Sequence, residues 1–195
     1  MNQINRREAL RRTAFIMGGT LMAPTITGIL NGCSAKPGLT WSPAFFDENQ
    51  ARLLTILSDI IIPRTDTPSA SELGVPAYID DMVGQVYSEE MRAKFREALD
   101  AFDQACQTDK GEAFHELDAA SQEAYVQTLH AELQQAGTAP GAEKPFLMWA
   151  KELVVSGYFT TEVGMTQVLQ YQAIPTRYDG CLPLEEAGNG KTWAT

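Results

Sequence analysis

The sequence predicts an all-α fold: a small bundle of about six helices followed by an irregular carboxy-terminal tail. Three observations carry this expectation. Apolar residues recur at three- and four-residue steps from Asp47 onward. Residues that start and stop helices stand at the edges of those runs. No alternating apolar and polar stretch bounded by hairpin turns interrupts them.

Leu53, Leu54, Leu57, Ile60 and Ile61 place one apolar face on a first helix, with Asp47 as its N-cap. Pro63 ends it, because proline disfavours helical backbone in the residue before it. Residues 64–73 form a polar loop. A second helix is expected from Pro76 to Tyr87, with Ile79, Met82, Val83 and Val86 facing inward. Ser88 and the acids Glu89 and Glu90 open a third helix, which carries Phe95, Leu99 and Phe102 and ends near Cys106. Asp118 caps a fourth through Tyr125, Leu129 and Leu133 to about Gly137. Thr138 to Lys144 is a turn, and Pro145 stands at the first helical position of a fifth helix running from Phe146 past Trp149 to Tyr158. A short sixth covers Glu162 to Tyr171, and from about residue 172 the chain reads as tail.

The amino terminus has a different grammar. Asn5-Arg6-Arg7-Glu8-Ala9 precedes a weakly apolar run from Thr13 to Leu30, the order of an export signal. The arginine pair, Arg6 and Arg7, points to twin-arginine (Tat) export. Gly18, Gly19, Pro24 and Gly28 break the run, so it is too interrupted for a stable span of ~20 apolar residues. Leu30-Asn31-Gly32-Cys33 then resembles a lipobox, in which cleavage before Cys33 frees that cysteine for acylation. The expected organisation is a Tat-type lipoprotein signal over 1–32, a lipid anchor and tether over 33–46, and a helical domain over 47–195. The chain would then be anchored to a membrane rather than cross it, on the periplasmic side after export.

Charge narrows the partners. The chain carries a formal net charge of −10. Residues 1–32 hold four arginines and one acid, so the remainder keeps 11 basic and 24 acidic side chains, a net charge of −13. A body that acidic repels phosphate backbones, which makes nucleic acid a poor partner.

Self-sufficient chemistry is hard to compose from these residues. The two histidines, His115 and His130, are isolated from each other and from cysteine. There is no Cys-x-x-Cys, no Gly-x-Gly-x-x-Gly after a strand, no P-loop and no nucleophile elbow. Asp80-Asp81 and Glu89-Glu90 are adjacent pairs, whose members point to different faces of a helix. No catalytic, cofactor-binding or metal-ligating residue is therefore assigned. Cys106 and Cys181 leave three arrangements open: a bond to each other, a bond to another chain, or free thiols. Tyr158, Phe159, Tyr171, Tyr178 and Trp193 concentrate aromatics in and around a glycine- and proline-bearing segment. Such a segment suits either packing against another surface or folding back over the bundle's own core; on the first reading Tyr158, Phe159, Tyr171, Tyr178 and Cys181 are the candidate partner-binding residues.

Three stretches together resemble a known family. They are the Asn5-Arg6-Arg7 start ahead of a short helical body; Leu53 to Pro63 with Thr65-Asp66-Thr67-Pro68-Ser69-Ala70 and Gly74-Val75-Pro76; and Gly157 to Gly164 with Tyr171, Pro175 and Tyr178-Asp179-Gly180-Cys181. Their order and spacing over roughly residues 45–185 are similar to those of gluconate 2-dehydrogenase subunit 3, the small subunit of membrane-associated flavin dehydrogenases. The resemblance implies a non-catalytic accessory subunit. FAD would sit in a separate large subunit of the GMC type, and electrons would pass to a cytochrome c subunit or another acceptor. The small subunit would carry the export signal and help the large one fold, acquire flavin or cross the membrane. A Tat signal on a chain with no cofactor of its own agrees with that, because Tat carries folded cargo. Two other readings use the same residues: a free-standing periplasmic lipoprotein with a ligand-binding or scaffolding role, and an enzyme with Glu162 or Asp179 as a base.

Overall fold

The fold was analysed in a computed structural model of the chain, which describes residues 39–136, 144–174, 180–186 and 190–194. Arg6, Arg7, Cys33, Tyr178 and Asp179 lie outside the described residues. The fold is all-α, a small bundle, as the periodicity predicts. The described α-helices are α1 (Glu48–Ile61), α2 (Val75–Asp81), α3 (Glu89–Lys110), α4 (Ala119–Ala136) and α5 (Phe146–Phe159), followed by a single π-helical turn, α6 (Gly164–Val168); short 3-10 turns cover Ser71–Leu73 and Phe114–Glu116.

The start of α1 is a full capping box. The Asp47 carboxylate accepts from the N–H of Asn49 and Gln50, both at 2.9 Å, while Gln50 Oε1 accepts from the Asp47 N–H at 3.3 Å. Each bond satisfies a donor that the first turn leaves open. Leu53, Leu54 and Leu57 are buried, and Ser58 joins them by donating its hydroxyl to the Leu54 carbonyl at 2.6 Å. The helix stops before Pro63.

Helix α2 begins at Gly74, whose φ of 77° favours glycine. After Asp81 it widens into a π-turn over Met82–Val86, closed by the Tyr87 N–H on the Met82 carbonyl at 3.1 Å. That turn corrects one expectation. The wider ring inserts a residue into the helical register, so Ile79 and Val83 are buried while Val86 is rotated outward and 68% exposed.

Helix α3 runs four residues beyond Cys106, to Lys110. The apolar stripe stops at Cys106, but the polar residues that follow still form helix until Gly111 ends it at φ 84°. Asp118 caps α4 by accepting from the Ser121 N–H at 3.0 Å.

The core is a continuous aromatic and aliphatic cluster, mostly from α1, α2, α3 and α5, joined by Phe46, Phe114 and Val126. Phe95 meets Phe46, Phe146 and Trp149 at ring-centroid distances of 5.8, 5.5 and 5.1 Å. Phe102 meets Phe114, Tyr125 and Phe146 at 5.2, 5.5 and 5.2 Å. Edge-on and tilted pairs of this kind add modestly to the burial of their apolar area. Helix α5 is apolar around most of its surface, as expected of a helix central to a bundle. It approaches α2 closely at Gly157, where a Cβ would lie 2.6 Å from the Tyr78 ring.

The segment expected to end the tether folds onto the body. Leu39, Trp41 and Phe45 pack against the core, and Phe46 is buried within it. Buried Asp80 holds the strap by accepting from the N–H groups of Ala44, Phe45 and Phe46 at 2.8, 3.1 and 2.9 Å. The Arg96 guanidinium lies 4.3 Å over the Phe45 ring. Of the adjacent acids, Asp80 is inside and Asp81 outside, as their spacing on a helix requires. No described helix is long and apolar enough to cross a membrane.

Candidate partner-binding surface

The carboxy-terminal end of α5 carries the first two candidate residues. Tyr158 and Phe159 touch edge-on, with ring centroids 5.5 Å apart. Tyr158 is buried, with 2% of its surface exposed. Its hydroxyl donates to the Pro68 carbonyl at 3.0 Å and lies 2.8 Å from the Thr67 hydroxyl. The body itself therefore covers Tyr158, and the residue fixes a loop from inside. Phe159 is half-buried against the same core.

That loop, between α1 and α2, is built from both sides. Asp59 accepts from the N–H and hydroxyl of Ser71 at 2.8 and 2.7 Å. Glu72 accepts from the Ser69 N–H at 2.8 Å and pairs with the Arg64 guanidinium. The Arg64 hydrogen bond, with help from Ser69, holds the Glu72 carboxyl below its ordinary range. Pro63, Arg64, Thr65 and Asp66 stay exposed on this rigid support.

Beyond α5 the chain reverses sharply. The Thr161 hydroxyl donates to the Tyr158 carbonyl at 2.7 Å and accepts from the Gly164 N–H at 3.1 Å. A Cβ on Gly164 would stand 2.2 Å from the Tyr158 carbonyl oxygen, so only glycine fits this return. The α6 turn then delivers Gln170 into a parallel bridge with Trp193. The Gln170 N–H donates to the Thr192 carbonyl at 2.8 Å, and the Ala194 N–H to the Gln170 carbonyl at 2.7 Å. Lys191 adds a hydrogen bond to the Gln167 carbonyl.

The Gln170–Trp193 bridge and Lys191 thus tie the tail back, and four of its large apolar side chains remain open. Tyr171 is 53% exposed, Ile174 77%, Leu184 50% and Trp193 42%. Tyr171 and exposed Cys181 are surface residues among the candidates. The sequence reading placed Trp193 among the concentrated aromatics but outside the candidate set, and it did not single out Ile174 or Leu184. Their signal was composition: large apolar residues in a segment without helical period.

Several of the other chemistry-bearing groups hold the fold. Asp59, Glu72 and Asp80 spend their carboxylates on backbone N–H groups, and Asp103 accepts from the Phe114 N–H at 2.8 Å. His130 Nε2 lies 3.4 Å from the Lys151 ammonium. Glu162 is exposed on the reversal after α5. No three His, Cys, Asp or Glu side chains converge as a metal site among the described residues. Cys106 is buried in α3, where burial, then Asp103, pushes its thiol up to about 11. It is not joined to Cys181. What the arrangement offers is a surface: exposed rings on a short ribbon tied to a packed helix.

A family model described as gluconate 2-dehydrogenase subunit 3 matches residues 48–176. The match takes in the capped first helix, the built loop, Tyr158, Phe159 and Tyr171; Tyr178 and Cys181 fall beyond it. No curated protein and no solved structure matches the chain.

Proposed function

The chain belongs to the gluconate 2-dehydrogenase subunit 3 family, and on that premise we propose that it is the non-catalytic small subunit of a membrane-associated, flavin-dependent sugar or sugar-acid dehydrogenase. The observation that carries this reading is the tail, where Tyr171, Ile174, Leu184 and Trp193 are exposed within one short segment, as a partner-covered surface would be. In this reading the FAD and the reaction belong to a large partner subunit of the GMC type. Asp59, Glu72 and Asp80 are committed to backbone contacts, the work of a scaffold.

Export, maturation and anchoring follow from the amino-terminal sequence. Arg6 and Arg7 would route a folded complex through Tat, so this subunit would carry the flavoprotein across with it. Acylation of Cys33 would then hold the complex on the periplasmic side of the membrane. A cytochrome c subunit is one acceptor consistent with such an assembly.

A mild-detergent pull-down of the tagged full-length protein from its own membranes tests the proposal. The expected eluate is yellow and contains a large flavoprotein, identified by mass spectrometry. A colourless, solitary protein would overturn the proposal and favour a free-standing lipoprotein.

A further inference from the structure

The ribbon formed by Gln170 and Trp193 has apolar side chains on both of its faces. In a parallel bridge the paired residues project to one side and their sequence neighbours to the other. Trp193 therefore shares a face with Gln170, while Tyr171 projects from the opposite face. Neither ring is fully covered, at 42% and 53% exposure, and Ile174, on the bend that follows, is 77% exposed. A ribbon lying flat on its own domain covers one face at most, so this one leaves apolar surface in water however it settles. Its pairing is also short: among the described residues one bridge supplies two hydrogen bonds, and an isolated two-chain ribbon is marginal in water.

Both deficits are met if the ribbon enters a slot. Resting on the accessory-subunit reading, we infer that the Gln170–Trp193 ribbon inserts into an apolar cleft of the dehydrogenase large subunit, burying Trp193 on one wall and Tyr171 on the other. Strand addition to a sheet edge in that cleft would extend this short pairing. Charge selects the occupant. The tail turn places exposed Glu185 and Glu186 beside exposed Leu184, on a body of net charge −13, so the cleft carries a basic rim. That requirement disfavours a second copy of this acidic chain, which would bring like charge to the same contact.

The test uses the full-length tagged chain in its own membranes. Wild type, the double variant Tyr171→Ser/Trp193→Ser and a control, Val86→Ser, are each pulled down, and bound flavin is read by absorbance. Wild type and control are expected to retain the flavoprotein equally, while the double variant loses at least about tenfold. Because both rings are exposed, the variant is expected to keep the wild-type circular dichroism and melting temperature, which separates lost binding from lost folding. Glu185→Lys/Glu186→Lys is expected to weaken retention most at low salt. Undiminished flavin on the double variant would overturn the inserted ribbon while leaving the accessory-subunit proposal standing. A wild-type protein that captures no flavoprotein would overturn both. Self-association of wild type that the double variant abolishes, with flavin capture unchanged, would assign the ribbon to a second copy and overturn the inference.

Discussion

The Asp80 carboxylate receives the backbone N–H of Phe46 at 2.9 Å inside the protein, so one acid on α2 determines where the amino-terminal strap joins the bundle. Ala44 and Phe45 donate to the same carboxylate, which makes Asp80 the partner of three successive amides. Removing it leaves those donors without an acceptor in a mostly buried setting, the costly case for a hydrogen bond. Asp80→Ala is expected to destabilise the protein by about 2–4 kcal/mol in urea unfolding. The neighbouring Asp81→Ala, which loses only an exposed bond from Gln85, is expected to change stability by about 0.5 kcal/mol or less. Equal losses at the two positions would show that the strap does not depend on Asp80.

The Tyr158 hydroxyl links the far end of α5 to the loop between α1 and α2. Tyr158→Phe keeps the ring contact with Phe159 and removes only the bonds to Thr67 and Pro68. The expected cost is about 0.5–1.5 kcal/mol, with faster amide exchange confined to residues 65–70. Exchange that is unchanged in this loop would mean that Asp59 and Glu72 hold it unaided.

Helices were legible in the sequence where an apolar stripe met a cap, as in α1, where Asp47 precedes Leu53, Leu54 and Leu57. Legibility failed where the backbone departed from the helical period. Val86 occupied an inward position only if α2 stayed an α-helix, and the π-turn after Asp81 rotated it to water. It failed again where burial depended on distant partners. Tyr158 looks the same in sequence whether it faces water or core, and its burial is set by α5 being enclosed and by a loop some 90 residues away. The tail was legible as an aromatic-rich, non-helical segment. Its bridge was not, because Gln170 and Trp193 carry no turn or alternation signal that would pair them.

Cys106 gives the protein an alkaline limit. Burial raises its thiol from an ordinary value of 9.0 to about 11 in the folded chain, and burial raises the Tyr125 phenol as well. The folded state thus favours the protonated thiol, while the unfolded chain ionises first. This preference leaves stability unaffected at neutral pH and lowers it as pH rises through 9 towards 11. Cys106→Ala is expected to flatten that part of the stability-against-pH curve in denaturant titrations. In the native protein at pH 8, the Cys106 peptide is expected to resist iodoacetamide until denaturant opens the core. Rapid labelling without denaturant would place the thiol outside the core.

Gly157 and Gly164 stand at two close approaches whose obstacles differ in kind. At Gly157 a new Cβ meets the Tyr78 ring at 2.6 Å and Val75 Cγ1 at 3.1 Å, both side-chain atoms of α2. A half-buried ring can swing aside, and alanine is the better helix former by about 1 kcal/mol. Gly157→Ala is therefore expected to cost only about 1–2 kcal/mol net. Trimming the ring should recover part of it, so Gly157→Ala and Tyr78→Ala are expected to be less than additive in a double-mutant cycle. At Gly164 the obstacle is the Tyr158 carbonyl oxygen at 2.2 Å, backbone that cannot retreat without unwinding the end of α5. Gly164→Ala is expected to cost about 3 kcal/mol or more, with no rescue from any neighbouring side-chain truncation. It should also displace the α6 turn that presents Gln170, so flavoprotein capture is expected to fall together with stability. If Gly164→Ala melts like wild type and still captures its partner, the reversal after α5 is not what positions the tail.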